Sequence, residues 1–143
     1  MSDATEIVSR RWFRVAPQEI WEAFVDPVRL ARWWGPKGFT NTFQAFDPRP
    51  LGSWRFVMHG PNGVDYPNES VFVEVRRPER LVIDHLSLPH FRLEITLLAQ
   101  DGGTLLTWRM TFETQQVRDQ VKAVVVPANE ENFDRLSVVC GVL

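Results

Sequence analysis

Residues 91–125 read FRLEITLLAQDGGTLLTWRMTFETQQVRDQVKAVV, and two periodicities meet inside them. Phe91, Leu93, Ile95 and Leu97 alternate with Arg92, Glu94 and Thr96. After Asp101-Gly102-Gly103 the alternation resumes: Leu106, Trp108, Met110 and Phe112 share one face, and Leu105, Thr107, Arg109 and Thr111 share the other. Two period-two runs joined by a glycine turn predict an antiparallel hairpin with one buried face. From Gln115 the spacing lengthens. Val117, Val121, Val124 and Ala128, then Leu136, Val139 and Leu143, recur at helical intervals, with Thr114 placed as the N-cap. Pro127 interrupts that pattern; it removes one hydrogen bond and crowds the carbonyl four residues back, so a kink or break near Ala123 is expected, leaving the helix in two pieces.

Upstream the same logic gives a series of strands separated by turn chemistry, an antiparallel meander with no βαβ units. Glu6 to Val15 is a first strand closed by Pro17. Pro17 then starts a short helix carrying Ile20, Trp21 and Phe24, and Pro27 starts a second that Gly35-Pro36 stops. Phe39 to Asp47 and Gly52 to His59 are the next strands. In the latter, Trp54, Phe56 and Met58 alternate with Arg55, Val57 and His59, and are assigned to the inner face. Gly60-Pro61-Asn62-Gly63 turns the chain into a strand from about Tyr66 to Val75, and Arg77-Pro78-Glu79-Arg80 turns it into Leu81 to Leu86. The class is α+β.

The chain has 143 residues, enough for one core and one main site, so residues 1–143 are taken as a single domain. Sixteen Lys and Arg against eighteen Asp and Glu leave no positive field for nucleic acid or anionic lipid. No apolar run reaches the roughly 20 residues a membrane span needs, and Met1 to Glu6 lacks the pattern of a signal peptide, so a cytoplasmic location is expected. The lone cysteine, Cys140, sits in an apolar stretch and reads as a packing thiol. Six Trp and ten Phe against one Tyr mean that most of the aromatic area lacks a hydroxyl, and such rings either line a cavity or fill it.

Several landmarks narrow the family. Ala16-Pro17-Gln18-Glu19-Ile20-Trp21-Glu22-Ala23-Phe24 followed by Ala31-Arg32-Trp33-Trp34-Gly35-Pro36-Lys37-Gly38-Phe39 resembles the opening of the bacterial homologues of the activator of heat-shock protein 90 ATPase. These belong to the START/polyketide cyclase/birch-pollen-allergen-like (SRPBCC) superfamily. Arg49 to Phe56, Gly60 to Gly63, Val73 to Leu81, Gly102 to Thr107 and Phe133-Asp134-Arg135-Leu136 resemble its later landmarks in the same order. Two departures stand out: Leu51 occupies a position where the family often has glycine, and so does Ser70. The resemblance implies the helix-grip fold, a curved sheet of about six or seven strands around a long C-terminal helix with two short helices after strand one. It also implies a cavity between sheet and helix that takes apolar or aromatic small molecules.

Pattern and resemblance together nominate Trp54, Phe56, Met58, Phe72, His85, Leu106, Trp108 and Met110 from the sheet, with Val121, Val124 and Val125 from the helix, as ligand-binding residues. The alternative is that these rings fill the space they surround. Asp84-His85 fails as a dyad because neighbours on a strand face opposite ways; His85 faces inward if Leu81 and Ile83 do. His59 is expected outside and His90 in a turn. Glu69 and Asn68 are candidates for the cavity mouth, with their facing left open. His85 and Glu69 are the catalytic candidates if the protein is an enzyme of cyclase or hydrolase type. Trp33 and Trp34 are read as a gate, a dimer contact or core. No metal-ligand spacing, phosphate loop or nucleophile elbow is present, and no cofactor is expected. Three functions stay open: a small-molecule binder, an enzyme using the same cavity, and a chaperone-interacting module, with a homodimer possible for each.

Overall fold

A computed structural model of the chain describes residues 4–141. The elements run β1 (Glu6–Phe13), α1 (Pro17–Val25), α2 (Pro27–Trp33), β2 (Thr40–Phe46), β3 (Ser53–His59), β4 (Asp65–Arg76), β5 (Arg80–His85), β6 (Phe91–Gln100), β7 (Gly103–Phe112) and α3 (Gln115–Val139). All seven strands form one antiparallel sheet in the order β1-β7-β6-β5-β4-β3-β2. This is the helix-grip architecture: the first strand closes onto the last, and α3 crosses the concave face.

Register settles which side chains share that face. Ile7 pairs with Met110 and Ser9 with Trp108; Met110 pairs with Leu93, and Trp108 with Ile95. Ile83 faces Leu93 and Phe72, while Ser70 lies opposite both Trp54 and His85. Each of the period-two predictions for β3, β6 and β7 therefore falls on the inner face. Both short helices begin on a proline at the first turn, where its missing N–H costs nothing. Asp26 separates them, its carboxylate accepting the N–H of Val28 at 3.0 Å. Ile20, Trp21, Phe24, Leu30 and Trp33 are buried.

Helix α3 is capped by Thr114, whose Oγ1 accepts the Val117 N–H at 3.1 Å. It runs unbroken through Pro127, against the expectation of two pieces. Both Pro127 and Ala123 are exposed, so the carbonyl that loses its partner faces water. Leu143, which the helical spacing would have added, lies outside the described residues. The C-terminal half of α3 is anchored: Phe133 and Leu136 are buried, and Arg11 of β1 reaches Asp134 at 2.7 Å and Glu130 at 2.8 Å.

Candidate functional site

The two halves of α3 are seated differently. Asn129, Asn132, Phe133 and Leu136 are buried, whereas Val117, Val121 and Val125, earlier on the sheet-facing side, are only half-buried. There α3 flanks an open groove of about 530 Å³. Leu88, Pro89 and His90 line one side, Thr114, Val117 and Val121 the other, and Glu113 and Gln120 complete it. Leu88 is 90 % exposed, an apolar side chain standing free at this rim. Val124, predicted with Val121 and Val125, is 73 % exposed and forms no inner wall. Helical spacing alone groups it with Val121; the buried Asn129 and Asn132 rotate the packed face of α3 away from it.

Next to the groove, strand β5 ends on His85. Its inward facing is as expected: the ring stacks on Phe91 with centroids 4.5 Å apart. Nε2 lies 2.7 Å from Asn68 Oδ1 and Nδ1 lies 3.1 Å from the Pro89 carbonyl. Two acceptors would hold a proton on each nitrogen, but burial works the other way and prevails, pushing the imidazole below its ordinary pKa. The neutral ring carries one proton and donates to one of these two acceptors, while Asn68 is held in its orientation by its own Nδ2, which donates to the Tyr66 carbonyl at 2.8 Å. Asn68 and Glu69 thus divide: Asn68 takes the inner side with His85, while Glu69 is exposed opposite Arg55 on the outer side, which removes it as an acid–base candidate for the cavity. Ser70, where relatives were expected to carry glycine, is buried between Trp54 and His85 in the register.

Deeper in, the space behind Trp54 and Trp108 is occupied by rings. Trp34 lies 4.9 Å from Trp54 and 5.4 Å from Trp108, nearly parallel to the latter. Trp33 and Phe24 back Trp108, each at 6.3 Å, and Phe56 stacks on Trp54 at 4.3 Å. Phe72, Leu106 and Met110 are buried in the same cluster, and Met58 packs half-buried against it. Trp33 and Trp34 are therefore core and wall, not an exposed corner: Trp33 is buried with its indole N–H on the Ala23 carbonyl at 2.9 Å, and Trp34 is half-buried. Sequence reasoning missed Val117 and Leu88 as parts of this region, and left the facing of Asn68 and the role of Trp34 open.

The segment carrying Trp34 is held from α3. Asn132 Oδ1 accepts the Gly35 N–H at 2.8 Å, and Glu131 accepts that of Lys37 at 3.0 Å. Arg135 donates to the carbonyls of Arg32, Trp34, Gly35, Pro36 and Phe39 at 2.8–3.3 Å.

Of the remaining histidines, His90 stands on the groove wall and His59 lies away from it. His90 meets Glu113 at 2.9 Å on the surface. His59 sits between Thr42 and Asp65, 2.7 Å from each, on the outer side of the sheet and open to water. Cys140 is a half-buried thiol whose pKa burial pushes up to about 11, which keeps it protonated and unreactive. Among the described residues no group of His, Cys, Asp and Glu is placed to hold a metal ion, and no helix is long and apolar enough to cross a membrane.

Comparison with known proteins agrees with this architecture. The family described as Activator of Hsp90 ATPase homolog 1-like protein matches residues 14–141. A solved Rhodobacter sphaeroides protein superposes with a TM-score of 0.88 at 28 % identity, over 98 % of this chain and 94 % of its own. A Nitrosomonas europaea protein gives 0.89 at 21 %, over 99 % and 97 %. The Silicibacter pomeroyi protein of the same family name gives 0.76 at 18 %, over 93 % and 95 %. No curated protein matches the chain in sequence.

Proposed function

The chain belongs to the family of Activator of Hsp90 ATPase homolog 1-like proteins, and on that premise we propose that it is a small-molecule-binding protein. An apolar or aromatic metabolite lies between the sheet and the N-terminal half of α3. The observation that carries this reading is the change of seating along one helix. Val117, Val121 and Val125 face the sheet without being fully covered, although leaving such side chains part-exposed forgoes about 25 cal/mol for every Å² not buried. Leu88 and Pro89 offer a second apolar wall across the groove. His85 and Asn68 supply polar contacts beside it. The binding position differs from the one expected behind Trp54 and Trp108, which rings already fill. An acid–base role for His85 has weaker support, since both ring nitrogens have partners in the fold.

Native mass spectrometry of the protein from its own host, followed by thermal shift with the molecule found, tests the reading. A ligand at about 100 times its Kd stabilises by about 2.7 kcal/mol. Val121→Asp places a carboxylate on the groove wall and abolishes that gain while leaving the free protein folded. A protein that carries no small molecule, and whose melting no apolar compound shifts, would overturn the proposal.

A further inference from the structure

The convex side of the sheet carries a row of apolar side chains beside a polar one. Trp12 of β1 pairs with Leu105 of β7, and Leu105 with Leu98 of β6, so the three stand side by side across adjacent strands. All three point outward, opposite in parity to the buried Phe13, Leu106 and Leu97. Trp12 is 38 % exposed and Leu98 59 %, with Leu105 half-buried between them. The next row is Arg10, Thr107 and Thr96. Exposed apolar side chains gathered in one place mark interaction sites, whereas scattered ones need no explanation.

Trp12 is fixed in position. Its indole N–H donates to the Gln100 carbonyl at 2.8 Å, and its ring lies so close over Gly103 that a Cβ there would stand 2.6 Å from Cζ2. The Arg14 guanidinium sits 5.9 Å from the ring centroid. A large ring already held in one orientation gives up little side-chain freedom when a partner covers it, which suits it to anchor an interface.

Charge sets the sign of that partner. Arg10 and Arg14 flank Trp12 on the same side of β1; both are exposed, and among the described residues neither has a carboxylate partner. Further along this face the arginines are neutralised: Arg80 by Glu94 at 2.7 Å, Arg92 by Asp84 at 2.8 Å and Arg109 by Glu6 at 3.6 Å. Asp101, in the turn between β6 and β7, is exposed and pairs with neither Arg10 nor Arg14.

We propose that this patch docks an acidic segment of another protein. One aromatic or aliphatic side chain of that segment lies on Trp12, Leu105 and Leu98, and Asp or Glu on either side of it meets Arg10 and Arg14. The patch shares no residue with the groove beside α3, so this inference stands apart from the small-molecule reading.

A phage-displayed library of random dodecapeptides, panned on the intact protein, supplies the probe, and the enriched peptides are titrated into ¹⁵N-labelled protein. The expected sequences carry Asp or Glu on both sides of an aromatic or aliphatic residue, and they displace the Trp12 indole signal, assigned with Trp12→Ser. The double variant Arg10→Glu/Arg14→Glu is expected to weaken them at least tenfold, because attraction at two positions becomes repulsion; both side chains are exposed, so the fold is kept. Trp12→Ser is expected to weaken them by a similar factor, with circular dichroism showing that it is folded. Added salt weakens binding to the parent protein. Peptides enriched without acidic residues, a Trp12 signal that stays in place, or an affinity indifferent to the double charge reversal overturns the proposal, as does failure to enrich any sequence. Self-association that the same double variant abolishes would assign the patch to a second copy of this chain and overturns it as well.

Discussion

The guanidinium of Arg135 donates to the Gly35 carbonyl at 2.8 Å across 100 residues of chain, and the same group reaches four other carbonyls of the 32–39 segment. It has no carboxylate partner in that set; its planar fork replaces the hydrogen bonds that an irregular backbone cannot make with itself. Arg135→Leu is expected to cost about 3 kcal/mol, since the lost bonds involve a charged donor and strand several carbonyls. Arg135→Lys is expected to recover less than half, because a point ammonium cannot span both sides of the segment. Urea unfolding followed by tryptophan fluorescence measures both.

Gly35 itself permits little else. Its φ is +101°, and a Cβ there would stand 2.8 Å from Met58 Cε and 3.2 Å from Phe39 Cβ. Gly35→Ala is expected to destabilise by about 1–2 kcal/mol through backbone strain alone, more if Met58 cannot move. A midpoint in urea equal to that of the parent protein would refute this.

Leu51 is the converse case. It adopts φ +71°, a left-handed conformation, with its side chain 86 % exposed. The family resemblance had placed a glycine at this position, and the backbone explains why. Leu51→Gly removes a strain of roughly 1–2 kcal/mol and gives part of it back through the greater freedom of the unfolded chain. A net gain of about 0.5–1 kcal/mol is expected, read as a rise of roughly 1–4 °C in Tm.

His85 makes stability depend on pH in a stated direction. Burial holds its folded pKa below the ordinary 6.5, so the unfolded chain binds the extra proton first. The neutral ring is fully compatible with the fold above pH 6.5; stability is lost as pH falls from there through the folded value and then levels off. The difference in unfolding free energy between the parent and His85→Gln should therefore shrink in that window, while carboxylate titrations common to both cancel. A constant difference from pH 7.5 to 5 would show that the imidazole is not held neutral.

The strands were legible because their alternation is local. Trp54, Phe56 and Met58 could be placed inside from residues 53–59 alone, and His85 followed from the parity of Leu81 and Ile83. Asn68 and Glu69 were ambiguous because their parity depends on how the Gly60–Gly63 turn sets the β3–β4 register, which pairs Phe56 with Asn68 and Arg55 with Glu69. Val124 was misplaced for a similar reason: a helical stripe shows which residues are neighbours, and the polar anchors Asn129 and Asn132 decide which edge of the stripe meets the sheet. The filling of the space by Trp34 depends on contacts some 100 residues apart, which no local pattern encodes.

Trp34 is where stability and binding pull against each other. Its ring occupies the region between Trp54 and Trp108, and its own segment is pinned by Asn132 and Arg135. Trp34→Ala removes a large ring whose surroundings are held by that clamp, so the hollow left behind collapses only in part. The expected cost is about 2–4 kcal/mol, somewhat under that of a fully buried tryptophan because one side of the ring already meets water. The hollow left between Trp54 and Trp108 offers room for a flat apolar compound. Affinity for naphthalene is therefore expected to rise at least several-fold in Trp34→Ala even as the free protein melts earlier, and naphthalene should restore more stability to the variant than to the parent. Thermal melts with and without naphthalene measure both effects on one sample. A variant that is destabilised and binds naphthalene no better would mean that the core closes over the gap, and that Trp34 only packs.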